Sequence, residues 1–209
     1  MLNGTQKFTT EDLEYLRHED RPLMMRLFRP EGVGPFPIVI DLHGGAWNNG
    51  DLSGCQVRDE VLVKAGLAVA ALDFRHGADR YPSSLQDINY AIRWVKAHAE
   101  ELTVDPARVG LSGQSSGGHL AALAAMRPND PRYTEITLDG DSDVDARVVC
   151  VALEWPVINP LSRYHHALRS LKTPDTAGWV GQIPEFHHTY WVDEEHLGWP
   201  DEEIDEEVL

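Results

Sequence analysis

The chain has 209 residues, 42% of them hydrophobic, enough apolar material for one sizeable core and little for two, so a single domain is expected. A formal net charge of −16 argues against nucleic acid and anionic membranes as partners, because the dominant electrostatic term would be repulsive. Two cysteines make no disulfide framework, residues 1–21 lack the apolar stretch of a secretory signal, and no run of about 18 apolar residues occurs, which together point to a soluble cytoplasmic protein.

Residues 23–28 are a short apolar run closed by Arg29-Pro30, and 31–37 form a Gly/Pro turn, which predicts strand then loop. Residues 36–42, Phe-Pro-Ile-Val-Ile-Asp-Leu, read as a buried strand ending in glycines. A short helix is predicted over 57–64, broken at Ala65-Gly66, and a second buried strand over 67–72. Over 84–102, Leu85, Ile88, Ala91, Ile92 and Val95 fall at helical spacing, with Asp87 in the first turn of one long amphipathic helix.

Asp105-Pro106 predicts a turn, 108–111 a short strand, 116–126 an alanine-rich helix and 147–153 another apolar strand. Each parallel crossover needs about a dozen residues, so this alternation specifies an α/β fold, a mostly parallel sheet flanked by helices. From about residue 155 the alternation stops. The remainder is rich in Trp, His, Pro and acid, and 193–209 hold nine acidic side chains with no Lys or Arg, so a lid or an irregular acidic segment is expected over 155–209.

Gly113-Gln114-Ser115-Ser116-Gly117 sits between a strand and a helix, the context of a G-x-S-x-G nucleophile elbow. The turn is tight enough that the residues two before and two after the serine must be Gly, and the serine is held in a strained conformation that exposes its hydroxyl. The amide of Ser116, in the first turn of the next helix, presents a free N–H to an oxyanion formed there. An ordinary phosphate-binding turn is the alternative, but the spacing of a dinucleotide fingerprint is absent around Gly110 and Gly113. His43-Gly44-Gly45-Ala46-Trp47 follows directly on the strand 38–42, and glycines there let backbone N–H groups approach a substrate carbonyl.

With these two motifs the chain resembles the hormone-sensitive-lipase-like group of α/β hydrolases, which includes small esterases and HGGxW arylformamidases. Arg75, Asp105-Pro-Ala-Arg108-Val109 and Ser116-Gly-Gly-His-Leu120 also match, so the resemblance covers residues 20–158. It implies Ser115 as nucleophile and the amides of Gly45, Ala46 and Ser116 as oxyanion hole, with Gly44 as loop neighbour. It also implies that His43 orients the loop and Trp47 lines the substrate pocket. Many members carry Asp where this chain has Gln114, and the third loop residue here is Ala46.

In that group an acid and then a His follow on later strands, and here no strand is predicted after Leu153. The chain therefore reads as lacking the last strands, as a truncated product, a fragment or one piece of a two-chain assembly able to self-associate or take up a complementing C-terminal chain. His165, His166, His187, His188 and His196, with Asp175 or Asp193 as orienting acid, follow no strand that would fix them near Ser115. His187, His188, Asp193 and His196 lack metal-ligand helical spacing and read as surface residues, while His119 reads as packed. Asp87 and Arg108 read as structural charges. The expected activity is carboxylic ester hydrolysis of a small-molecule substrate without metal or organic cofactor. The alternatives are a formamide-cleaving amide hydrolase and a non-catalytic remnant that binds a ligand or partner.

Overall fold

The computed structural model describes residues 6–138, 140, 143–173 and 178–192. Six strands form one sheet in the order β1-β2-β4-β3-β5-β6: β1 Phe8–His18, β2 Arg21–Pro30, β3 Phe36–Leu42, β4 Ala68–Leu72, β5 Val104–Gln114 and β6 Cys150–Glu154. The first two strands are a hairpin, β2 pairs antiparallel with β4, and β4, β3, β5 and β6 run parallel. The crossovers are helical, with α1 Gln56–Lys64 between β3 and β4, and α2 Ser83–Ala97 followed by α3 Ala99–Leu102 between β4 and β5. Helix α4, Ser116–Met126, follows β5 directly.

Alternation along β4 shows how the sheet is covered. Val69 and Ala71 pack with Phe28 and with Val63 of α1, whereas Ala68, Ala70 and Leu72 join the main core with Leu85, Ile88, Ile92 and Val95 of α2 and Leu120 and Ala124 of α4. Successive residues of a strand point to opposite faces, so α1 covers one face while α2 and α4 cover the other. The chain leaves β3 toward β4 on one side and enters β5 on the other. The connections thus diverge between β3 and β5, and the carboxyl ends of these two neighbouring strands are the topological switch point at which open α/β sheets bind ligands.

Several elements depart from the sequence expectation. No strand is predicted at β1, whose sequence is largely polar and of which only Tyr15 is buried; hydrogen bonding to β2 along the hairpin holds it. The expected helix over 84–102 is two helices, parted at His98, and α3 closes on Thr103 in the left-handed conformation, φ 59°. Asp105-Pro106 lies within β5, where the register against β3 slips, and that strand is longer at both ends than 108–111. Strand β6 begins at Cys150 rather than at 147. Residues after 155 are less irregular than expected: α5 Pro160–Ser170 starts at Asn159, whose side chain caps the Ser162 amide, and α6 Ile183–Tyr190 follows. The acidic stretch 193–209, with His196 and Trp199, and Asp175 lie outside the described residues. No described helix is long and apolar enough to cross a membrane.

Asp87 sits past the first turn of α2 and has a different role from the one its position suggested. Its side chain is 0% exposed and accepts from the Arg75 amide at 2.8 Å, from the Arg75 guanidinium at 2.9 and 3.0 Å, and contacts His18 Nε2 at 2.9 Å. One carboxylate thus joins the end of β1, the loop after β4 and α2. Arg108, by contrast, pairs with Asp105 at 2.6 Å with its side chain 53% exposed. Urea unfolding of Asp87→Ala is expected to show a loss of about 3–5 kcal/mol, since the Arg75 guanidinium, only 19% exposed, loses its buried partner. Arg108→Ala should lose under about 1 kcal/mol. Equal losses would contradict the assignment of Asp87 as the hub.

Candidate active site

Ser115 stands between β5 and α4 with φ 54° and ψ −121°, a strained conformation for a residue with a Cβ. Backbone hydrogen bonds hold it there. Its N–H donates to the Glu154 carbonyl at the end of β6, 2.9 Å, and its carbonyl accepts from Val157 and His119, both 3.2 Å. The flanking glycines are required by contact: a Cβ on Gly113 would lie 2.6 Å from the Gly117 carbonyl carbon, and one on Gly117 would lie 2.8 Å from that of His43.

The second contact shows that the loop 43–47 rests on the elbow. A Cβ on Gly44 would meet Ser115 Cβ and the Gln114 carbonyl oxygen, each at 3.3 Å. The loop has its own strain, with Ala46 at φ 53° and Trp47 at φ 62°. The Gly45 carbonyl accepts from Asn48 and Asn49, both 3.0 Å, and the Trp47 carbonyl accepts from Gly77, 2.7 Å. Asn48 Nδ2 bridges the carbonyls of Ala46, 2.8 Å, and Phe186, 2.9 Å, which ties the loop to α6. Among the described residues the Gly45 and Ala46 amides donate to no group.

His43 is buried, stacked on Phe74 with ring centroids 4.3 Å apart, and its Nδ1 lies 2.7 Å from the Gly44 carbonyl. A carbonyl can only accept, so the proton sits on Nδ1 and the ring braces the loop. Burial holds this imidazole below its usual range. Trp47, expected to line the pocket, is 2% exposed and packs among His119, His187, Tyr190 and Trp191, with centroids 5.2–6.3 Å away. In this arrangement it anchors the loop to the core.

His187 is the clearest correction. Expected on the surface, it is fully buried against Trp47, with Nδ1 2.8 Å from the Ile183 carbonyl. The helical phase of α6 turns Ile183, His187 and Tyr190 inward together, a pattern hidden by the polar identity of the middle residue. His119 is packed, as expected, one turn beyond Ser115. His188 contacts the Tyr164 hydroxyl at 2.8 Å. Among the described residues no side chain is hydrogen-bonded to the Ser115 hydroxyl, and no three His, Cys, Asp or Glu side chains group as a metal site.

Residues 25–184, which span both motifs, match the BD-FAE family. The chain belongs to the BD-FAE family of α/β hydrolases. Proteins similar to this BD-FAE chain are named as esterases. The probable carboxylic ester hydrolase LipM of Mycobacterium tuberculosis is 36% identical over 118 residues, 56% of this chain and 27% of that protein. Esterase LipC of the same organism is 33% identical over 150 residues, 70% of this chain and 34% of that protein. Among solved structures, a bacterial heroin esterase superposes with a TM-score of 0.69 at 25% identity, covering 95% of this chain and 59% of that one. Esterase 2 of Thermogutta terrifontis, phosphonylated by cyclosarin, gives 0.63 at 27% identity, covering 71% and 56%. The chain thus spans about a quarter to a third of the length of these two curated relatives.

Burial pushes the pKa of both His119 and His187 down to about 4. An unfolded histidine takes its proton near 6.5, so between about 6.5 and about 4 the unfolded chain binds protons that the folded chain refuses, and stability falls as pH falls through that window. Each histidine adds about 1.4 kcal/mol per pH unit to this slope. Urea unfolding from pH 7 to 4.5 should therefore give a shallower dependence for His187→Asn than for the parent chain. Identical slopes would show that His187 is protonated in the folded state.

Proposed function

We propose that the chain carries the nucleophile and oxyanion hole of a serine esterase, which cleaves a small-molecule carboxylic ester through an acyl-enzyme on Ser115. The observation that carries this reading is the contact of the loop 43–47 with a strained Ser115 at the carboxyl ends of β3 and β5. The names of LipM and LipC supply the class of bond.

In this reading Ser115 Oγ adds to the ester carbonyl carbon while a base takes its proton, and the carbonyl electron pair moves onto oxygen. The amides of Gly45, Ala46 and Ser116 donate to that oxyanion, with Gly44 leaving room for the approach and His43 and Trp47 holding the loop in place. Collapse expels the alcohol, which recovers the proton from the base and leaves acyl-Ser115. Water then repeats the sequence and releases the acid. His119 is a poor candidate for the base: with a pKa of about 4 it is too weak at neutral pH, and it makes no bond to the hydroxyl.

In this reading the base and the acid that orients it lie outside the described residues. The edge of β6 supports that placement. Among the described residues it pairs only with β5, and Val151 and Leu153 are 36% and 39% exposed along it, with Val149 just before it 66% exposed, an edge open to a further strand.

Hydrolysis of short-chain p-nitrophenyl esters by the 209-residue chain is expected to reach at most about 10³–10⁴-fold over water, the level left to an oxyanion hole without its triad. A fluorophosphonate should label the chain slowly at Ser115, and Ser115→Ala should abolish the adduct. Equal labelling of both proteins would refute Ser115 as nucleophile. Fast turnover that vanishes in Ser115→Ala would mean that the 209 residues already hold the base.

A further inference from the structure

Arg58 lies in the first turn of α1, where the helix dipole disfavours a cation, and its side chain is only 15% exposed. Two carboxylates offset that cost. Nη2 donates to Asp41 Oδ1 at 2.5 Å, and Nη1 lies 2.6 Å from Glu154 Oε2. Asp41 is in β3 and Glu154 ends β6, while β5, the strand that delivers Ser115, lies between them in the sheet. One guanidinium therefore spans three strands, with the nucleophile strand in the middle.

Both anchored residues are coupled to the site through the backbone. The Glu154 carbonyl receives the Ser115 N–H, and Asp41 stands one residue before Leu42 and two before His43, whose backbone packs against Gly117 of the elbow. Burial, and then the charge of Asp41, raise the carboxyl pKa of Asp59 on the same helix to about 8, which leaves Asp59 protonated at neutral pH. Asp41 is the β3 carboxylate that Arg58 contacts. Glu154, 36% exposed, completes the bridge from the rim.

We propose that Arg58 is a positioning residue for Ser115: by clamping the carboxyl ends of β3 and β6 to one another across β5, it sets how the loop 43–47 seats on the nucleophile. This rests on Ser115 as the nucleophile, but the clamp itself has a readout that needs no chemistry. A lysine keeps the charge beside Asp41 and loses the fork that reaches two carboxylates at once, so Arg58→Lys separates position from charge.

The experiment compares the parent chain, Arg58→Lys, Glu154→Gln and the double variant by amide hydrogen exchange at Ser115 and by the rate of fluorophosphonate labelling. Arg58→Lys and Glu154→Gln should each speed Ser115 amide exchange and slow labelling by about 10-fold to 100-fold, the loss a displacement near 1 Å produces. Thermal midpoints should stay close to the parent's. The double variant should be no worse than either single, because both remove the same link. Additive losses, or unchanged exchange at Ser115 in Arg58→Lys, would overturn the clamp. If the parent chain is not labelled at all, the nucleophile reading fails, while the exchange data still decide the clamp.

Discussion

Main chain packs directly on main chain where the elbow meets the loop 43–47, and the rest of the site depends on that contact. With no Cβ on Gly113 or Gly117, the backbone of residues 113–117 folds on itself and against the carbonyls of Leu42 and His43. That approach brings Gly44 against Ser115 and puts two motifs from different strands at one point. The sheet makes it available, because β3 and β5 are neighbours whose connections leave in opposite directions.

Strain at the site is balanced by the scaffold. Ser115, Ala46 and Trp47 all sit at positive φ, each costing on the order of 1–3 kcal/mol. The hydrogen bond that Ser115 donates to the Glu154 carbonyl and those it accepts from Val157 and His119 fix the first, and those of Asn48, Asn49 and Gly77 fix the loop. Trp47 adds the apolar anchor, since its buried indole secures the loop to α4 and α6 together. The elements that hold Ser115 are thus β6 and the segment after it as much as the strand that carries it.

What was legible in the sequence was whatever local chemistry determines. The apolar runs gave β3, β4 and β6, the glycine pairs marked both turns of the candidate site, and α1 and α4 lie where helical spacing placed them, within a residue. Strand β1 was hidden because its residues are largely polar and its stability comes from pairing with β2. Burial of His187 was hidden because a polar residue interrupts an otherwise apolar helix face, and its inward position depends on Trp47, 140 residues earlier in the chain. Arg58 carries no motif. Its role follows only from the adjacency of β3, β5 and β6, which spacing along the chain does not express.

The contact between elbow and loop turns on the absence of a side chain at Gly117, so the most direct test is to add one methyl group there and measure stability and covalent labelling of Ser115 together. The added Cβ of Gly117→Ala would press on the backbone carbonyls of Leu42 and His43 at the root of the loop, an overpacking that costs about 1–3 kcal/mol or more. Urea unfolding should show that loss, and fluorophosphonate labelling should fall with it because the loop is pushed off the serine. A Gly117→Ala chain with the parent's stability and labelling rate would contradict the account, since the elbow and the loop could not then be in the contact described.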